Sequence, residues 1–140
     1  MAIAPLGWAS AAVWFFLPCP ERLTTMDFIF PDNTRPAGHY SPGVVHAGLV
    51  YVSGQLPIRP GQTEHIIGPI GEQTEQTLRN VQRVLRAAGS DLEHVLQMTI
   101  YVSDGEMWGE VNAAFARVMG EHRPARAIVP VKVLHFGYQV

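Results

Sequence analysis

Over residues 72–88 the apolar positions Leu78, Val81, Val84, Leu85 and Ala88 recur at steps of three and four. That spacing lays one stripe along an α-helix, and Gly89 is placed to end it. Between residues 95 and 102 the period changes to two, with Leu96, Met98, Ile100 and Val102 on one face and Gln97, Thr99 and Tyr101 on the other. Alternation of this kind predicts a half-buried strand. A second helical stripe follows at Trp108, Val111, Phe115, Val118 and Met119, opened by Ser103 and Glu106 at capping-box spacing and stopped by Gly120. Upstream, residues 44–46 and 49–53 are short β-rich runs separated by Ala47-Gly48, a pattern that suits a tight hairpin. Residues 127–134 and 136–140 predict closing strands. Residues 33–42 read as a loop, and residues 55–71, broken by Pro57, Pro60 and Pro69, as an irregular connection with one short strand near Ile66-Ile67.

The predicted order is strand, strand, helix, strand, helix, strand, strand. Two amphipathic helices each have a face to bury, and an alternating strand has a face to cover. The expected fold class is therefore α+β, with both helices packed on one side of a mostly antiparallel sheet. The sheet's other face carries Val, Ile and Tyr with little charge, which predicts an oligomer that covers it.

At 140 residues the chain fits one domain, placed at residues 26–140. Residues 1–25 stand apart: Ile3 to Leu17 is almost wholly apolar, but it lacks a preceding positive charge and falls short of the roughly 20 residues that span a bilayer. The expectation is that Met26 is the natural start and that the extension has no part in the fold. Nine arginines and Lys132 are scattered through a chain of net charge −2, so nucleic acid, whose binding rests on phosphate neutralisation, is not an expected partner. Neither is a membrane. The single cysteine, Cys19, excludes an internal disulfide and fits a reducing, cytoplasmic setting.

Few residues advertise chemistry. Six dispersed histidines show no pair at metal-site spacing, so no metal is expected. Arg126 stands at the entrance to an apolar strand, where a planar guanidinium suits a carboxylate; taken alone, it reads better as one half of a surface ion pair. Ser53-Gly54-Gln55 closes the first hairpin and offers hydrogen bonds beside a glycine, but a plain turn explains it equally well. Asn112 sits inside a helix at some cost in propensity, which hints at a polar contact.

Taken in order, Gly38-His39-Tyr40-Ser41, Tyr51-Val52-Ser53-Gly54-Gln55, Gln73-Thr74 with Leu78-Arg79-Asn80, Val111-Asn112 and Arg123-Pro124-Ala125-Arg126 resemble the Rid family of reactive intermediate deaminases, also called YjgF. The resemblance runs from about Pro31 to Val140. It implies a chorismate-mutase-like fold assembled as a homotrimer, with sites in the clefts between subunits. It also implies hydrolysis of 2-imino and enamine acids to 2-oxo acids and ammonia without a cofactor. Arg126 would grip the substrate carboxylate, with Tyr40, Ser53, Gly54, Gln55, Asn112, Phe115 and Ile128 lining the cleft as substrate contacts. Three departures accompany it. Phe115 stands where relatives often have Tyr, and Ile128 where many have Cys. The last strand is cut short at Val140, where the family pattern continues into a glutamate that positions and protonates the reacting species. A trimeric carboxylate-binding protein without turnover is the competing expectation, and a ribonuclease role a more distant one.

Overall fold

The Ala47-Gly48 dipeptide forms the turn expected of it: both residues take positive φ (50° and 79°), the left-handed geometry that a two-residue hairpin connection needs. It joins β2 (Gly43–His46) to β3 (Leu49–Val52). The computed structural model describes residues 25–33 and 35–140, so the expectation for residues 1–25 falls almost wholly outside the described residues. A short strand that the sequence pattern did not suggest, β1 (Asp27–Ile29), pairs antiparallel with β2. Three residues are too few for an alternation to be recognised.

Helix α1 (Ile70–Ala87) closes at Gly89, φ 77°. It buries Leu78, Val84 and Leu85, each worth about 1.5–3 kcal/mol when removed from water. The helix lies so close to the hairpin that a Cβ on Gly43 would sit 2.6 Å from Val84 Cγ1. Strand β4 (Gln97–Val102) follows, then α2 (Trp108–Met119), then β5 (Ala125–Pro130). Strands β4 and β5 pair in parallel, with Met98 opposite Arg126 and Ile100 opposite Ile128. A parallel pair needs a crossover, and α2 supplies it. The two helices pack together and are tied at the surface by Arg117 Nε donating to Glu75 Oε1 at 2.9 Å. The main core joins Leu78 and Leu85 of α1, Ile100 and Val102 of β4, and Val111, Phe115 and Met119 of α2.

Four expectations change. First, the capping box at Ser103 does not form. Asp104 takes its place, its carboxylate accepting from Glu106 N at 3.0 Å and opening a 3-10 turn over Gly105–Met107 that precedes α2. A charged acceptor two residues ahead of the donor outcompetes the hydroxyl. Second, Trp108 and Leu96 leave their predicted apolar faces and are mostly exposed, because each lies at the very start of its element or just before it. Third, β5 begins at Ala125 and stops at Pro130, and residues 136–140 make no strand. Phe136 and Gly137 both adopt positive φ (59° and 79°) and turn the chain. Fourth, Ile66 and Ile67 are exposed in irregular backbone.

The α+β class stands, and two antiparallel pairings (β1–β2 and β2–β3) accompany one parallel pairing. Strands β3 and β4 do not pair with each other. Between them runs a groove of about 1230 Å³, bordered by Val50, Val52, Met98 and Ile100 and reaching Leu78 and Leu85 of α1. Phe28, Val44 and Tyr51 stand opposite one another across β1–β3, so they share a face, and Phe28 and Tyr51 are more than half exposed. Among the described residues no helix is long and apolar enough to cross a membrane.

Candidate functional site

Strand β5 alternates, so Arg126 and Ile128 point to the same side, and both are half-buried. On α2, Asn112 and Phe115 are three residues apart and therefore share one helix face. The β4–α2–β5 crossover brings the two pairs together. Arg126 Nη2 donates to Asn112 Oδ1 at 2.7 Å, and its Cζ lies 4.5 Å from the centre of the Phe115 ring. One contact fixes the guanidinium in its plane, and the other covers a face with an aromatic ring that favours a cation.

Among the described residues no carboxylate forms a salt bridge with Arg126. This sets aside the surface ion pair that the sequence alone favoured. Its polar partner is a neutral amide, so the hydrogen bond orients the charge without cancelling it. A half-buried cation in that condition is chemically suited to an anion that arrives from outside.

The remaining predicted site residues gather elsewhere. Ser53 Oγ donates to Ser41 O at 2.7 Å, and Ser53 N donates to Pro42 O at 2.9 Å. These two bonds hold the end of β3 against the turn that carries Tyr40. A Cβ on Gly38 would meet the Tyr40 ring at 2.9 Å, so glycine there lets the ring fold back over the chain. Gln55 Nε2 donates to Ser53 O at 2.9 Å. A Cβ on Gly54 would meet nothing within 4 Å, leaving its surface open to approach. Tyr40 and Ser53 border a concavity of about 690 Å³ with Arg35 and His39, and all four of Tyr40, Ser53, Gly54 and Gln55 border the β3–β4 groove. Neither hollow is lined by Arg126, and no hydrogen bond among the described residues joins the two groups. Within one chain the predicted site is in two halves.

Two supporting residues carry no expected role in the sequence reading. Asn80 is buried in α1 and donates from Nδ2 to Leu56 O and Ile58 O, both at 2.8 Å, fixing the loop that follows Gln55. Gln73, also buried, exchanges hydrogen bonds with Gln139, Nε2 to Oε1 at 3.0 Å and Gln139 N to Oε1 at 2.9 Å. Polar residues on the buried side of an amphipathic helix are the signal that marks both. No group of three His, Cys, Asp or Glu side chains that could hold a metal occurs among the described residues.

The family profile described as endoribonuclease L-PSP matches residues 31–140. The chain belongs to the Rid (YjgF, L-PSP) family. A RutC family protein of Pyrococcus horikoshii is 36% identical to this Rid protein over 109 residues, covering 77% of this chain and 86% of the relative. Among solved structures, RidA from an Antarctic Psychrobacter is 32% identical with a TM-score of 0.73, covering 79% of this chain and 90% of its own. Escherichia coli TdcF with bound serine is 27% identical with a TM-score of 0.73, covering 81% and 91%.

Proposed function

We propose that this Rid protein hydrolyses short 2-imino acids, such as 2-iminobutanoate and 2-iminopropanoate, to 2-oxo acids and ammonia. The observation that carries the reading is the uncompensated guanidinium of Arg126, held by Asn112 and Phe115. Family membership and a solved relative with bound serine, itself an α-amino acid, support a small carboxylate as the ligand.

The chemistry asks little of a protein. A protonated imine is already electrophilic at C2. Water adds there to give a tetrahedral carbinolamine, a proton moves from oxygen to nitrogen, and the C–N bond breaks to release ammonia and form the C2 carbonyl. Arg126 anchors the carboxylate so that C2 is presented in one orientation. The amide of Asn112 and the ring of Phe115 keep the anchor from swinging. The Tyr40, Ser53, Gly54 and Gln55 half supplies hydrogen-bonding groups and open space for the rest of the substrate. We place these two halves in one cleft by assembly of a homotrimer, each cleft taking one half from each of two neighbouring copies. Among the described residues no carboxylate forms a salt bridge with Arg126, so no acid of the same chain competes with the substrate for the guanidinium.

The same anchor, held by a neutral amide and an aromatic ring, also suits a second reading, a trimeric carboxylate-binding protein without turnover. The two separate when 2-iminobutanoate is generated in situ and 2-oxobutanoate release is followed against the spontaneous rate. Acceleration that is lost in Arg126→Ala supports the deaminase. No acceleration, even after Glu-Ile-Glu is appended to Val140, supports binding alone. Truncating one partner of a desolvated ion pair typically costs about 2–5 kcal/mol, enough to remove measurable activity from Arg126→Ala. Cleavage of RNA in the same preparations would point instead to the activity in the family's descriptive name.

A further inference from the structure

The geometry points to Asn112 and Phe115 as positioning residues that act on the substrate only through Arg126, a refinement that rests on the carboxylate-anchor reading above. Both were expected to line the cleft as substrate contacts. The structure instead aims both at the guanidinium: the Asn112 amide oxygen accepts from Nη2 at 2.7 Å, and the Phe115 ring lies 4.5 Å from Cζ. Phe115 is buried, with 6% of its surface exposed, so its ring has little surface left to offer a ligand.

The physical need for such a cradle is plain. An arginine side chain carries large rotamer freedom, and a free guanidinium at the end of a strand would lose that freedom each time a ligand bound. Asn112 restrains rotation within the guanidinium plane, and Phe115 restrains the plane itself. Both come from one face of α2, so the anchor is fixed to a helix rather than to a loop. The choice of a neutral amide also matters. An aspartate at 112 would hold the arginine as firmly but would neutralise it and compete with the incoming carboxylate.

Four substitutions test this. Asn112→Ala and Phe115→Leu loosen the cradle, and Asn112→Asp keeps the shape while adding charge. The first readout is independent of any activity: nitrogen-15 NMR of the Arg126 side chain reports rotation of its guanidinium. Slow rotation in the unsubstituted protein, becoming fast in Asn112→Ala and Phe115→Leu and staying slow in Asn112→Asp, is expected. Unchanged rotation in the two loosened variants overturns the positioning role, whatever the enzyme does. The second readout is affinity for 2-oxobutanoate against that for its uncharged amide. Asn112→Ala should weaken the acid roughly tenfold, the loss of one hydrogen bond to a charged group, and leave the amide unchanged. Asn112→Asp should weaken the acid more, and Phe115→Tyr, which keeps the ring, should bind it like the parent. Equal weakening of acid and amide would mean that Asn112 touches the ligand directly and would overturn the proposal. If the NMR result holds while neither ligand binds any variant or the parent, the cradle stands and the carboxylate-anchor reading is what fails.

Discussion

Asp91 shows how one side chain can be tuned chiefly by its hydrogen bonds. Its carboxylate accepts from Gln82 Nε2 and from Leu92 N, both at 2.7 Å, and from Arg86 Nε at 2.9 Å. Those contacts, the Gln82 bond foremost, hold its pKa at about 2 instead of the ordinary 3.8. A depressed carboxylate stabilises the fold above its unfolded pKa and loses that contribution as pH falls through its folded one. Asp91→Asn should therefore be less stable than the parent at pH 7, with the difference shrinking between about pH 4 and pH 2 in a series of denaturant titrations. A constant difference across that range would show that the charge is not what matters. Arg126 was visible in the sequence as a cation at a strand entrance, but its partner was not. A neutral amide 14 positions earlier becomes its neighbour only when α2 folds back beside β5, and no local pattern announces that.

Elements were legible where periodicity was long and opaque where it was short or contested. The stripe from Leu78 to Ala88 and the Gly89 stop located α1 nearly to its ends, because burial and capping agree there. The approach to α2 misled because two acceptors, Ser103 and Asp104, competed for one turn and the charged one won. Residues 136–140 have strand-like composition, yet the positive φ at Phe136 bends them away. The contact between elements is tightest at Gly43, where Gly43→Ala would drive a methyl into Val84. Overpacking of that kind costs about 1–3 kcal/mol, to be read as a lowered midpoint in urea unfolding; an unchanged midpoint would mean that α1 is free to retreat from the hairpin. Asn80→Ala should cost about 1–3 kcal/mol as well, since it strips two loop carbonyls of their donor.

For the molecule as a whole, the sequence foresaw an uncovered sheet face, and Phe28 and Tyr51 are its exposed members. Tyr40, Ser53, Gly54 and Gln55 line hollows that Arg126 does not, a separation within one chain that agrees with the expected sites between subunits but that motif order alone does not locate. Light scattering after gel filtration should give three chains per particle. The groove between β3 and β4 adds a second expectation. Both strands have an unpaired edge there, so appending a short alternating segment such as Glu-Ile-Glu to Val140 should raise the melting temperature if the added residues pair along it. The most direct measurement is calorimetric titration of the assembled protein with 2-oxobutanoate, in parent and Arg126→Ala forms at matched fold and mass. One carboxylate bound per chain in the parent and none in Arg126→Ala is the predicted result. Binding of equal strength in both would contradict the idea that this guanidinium is the anchor.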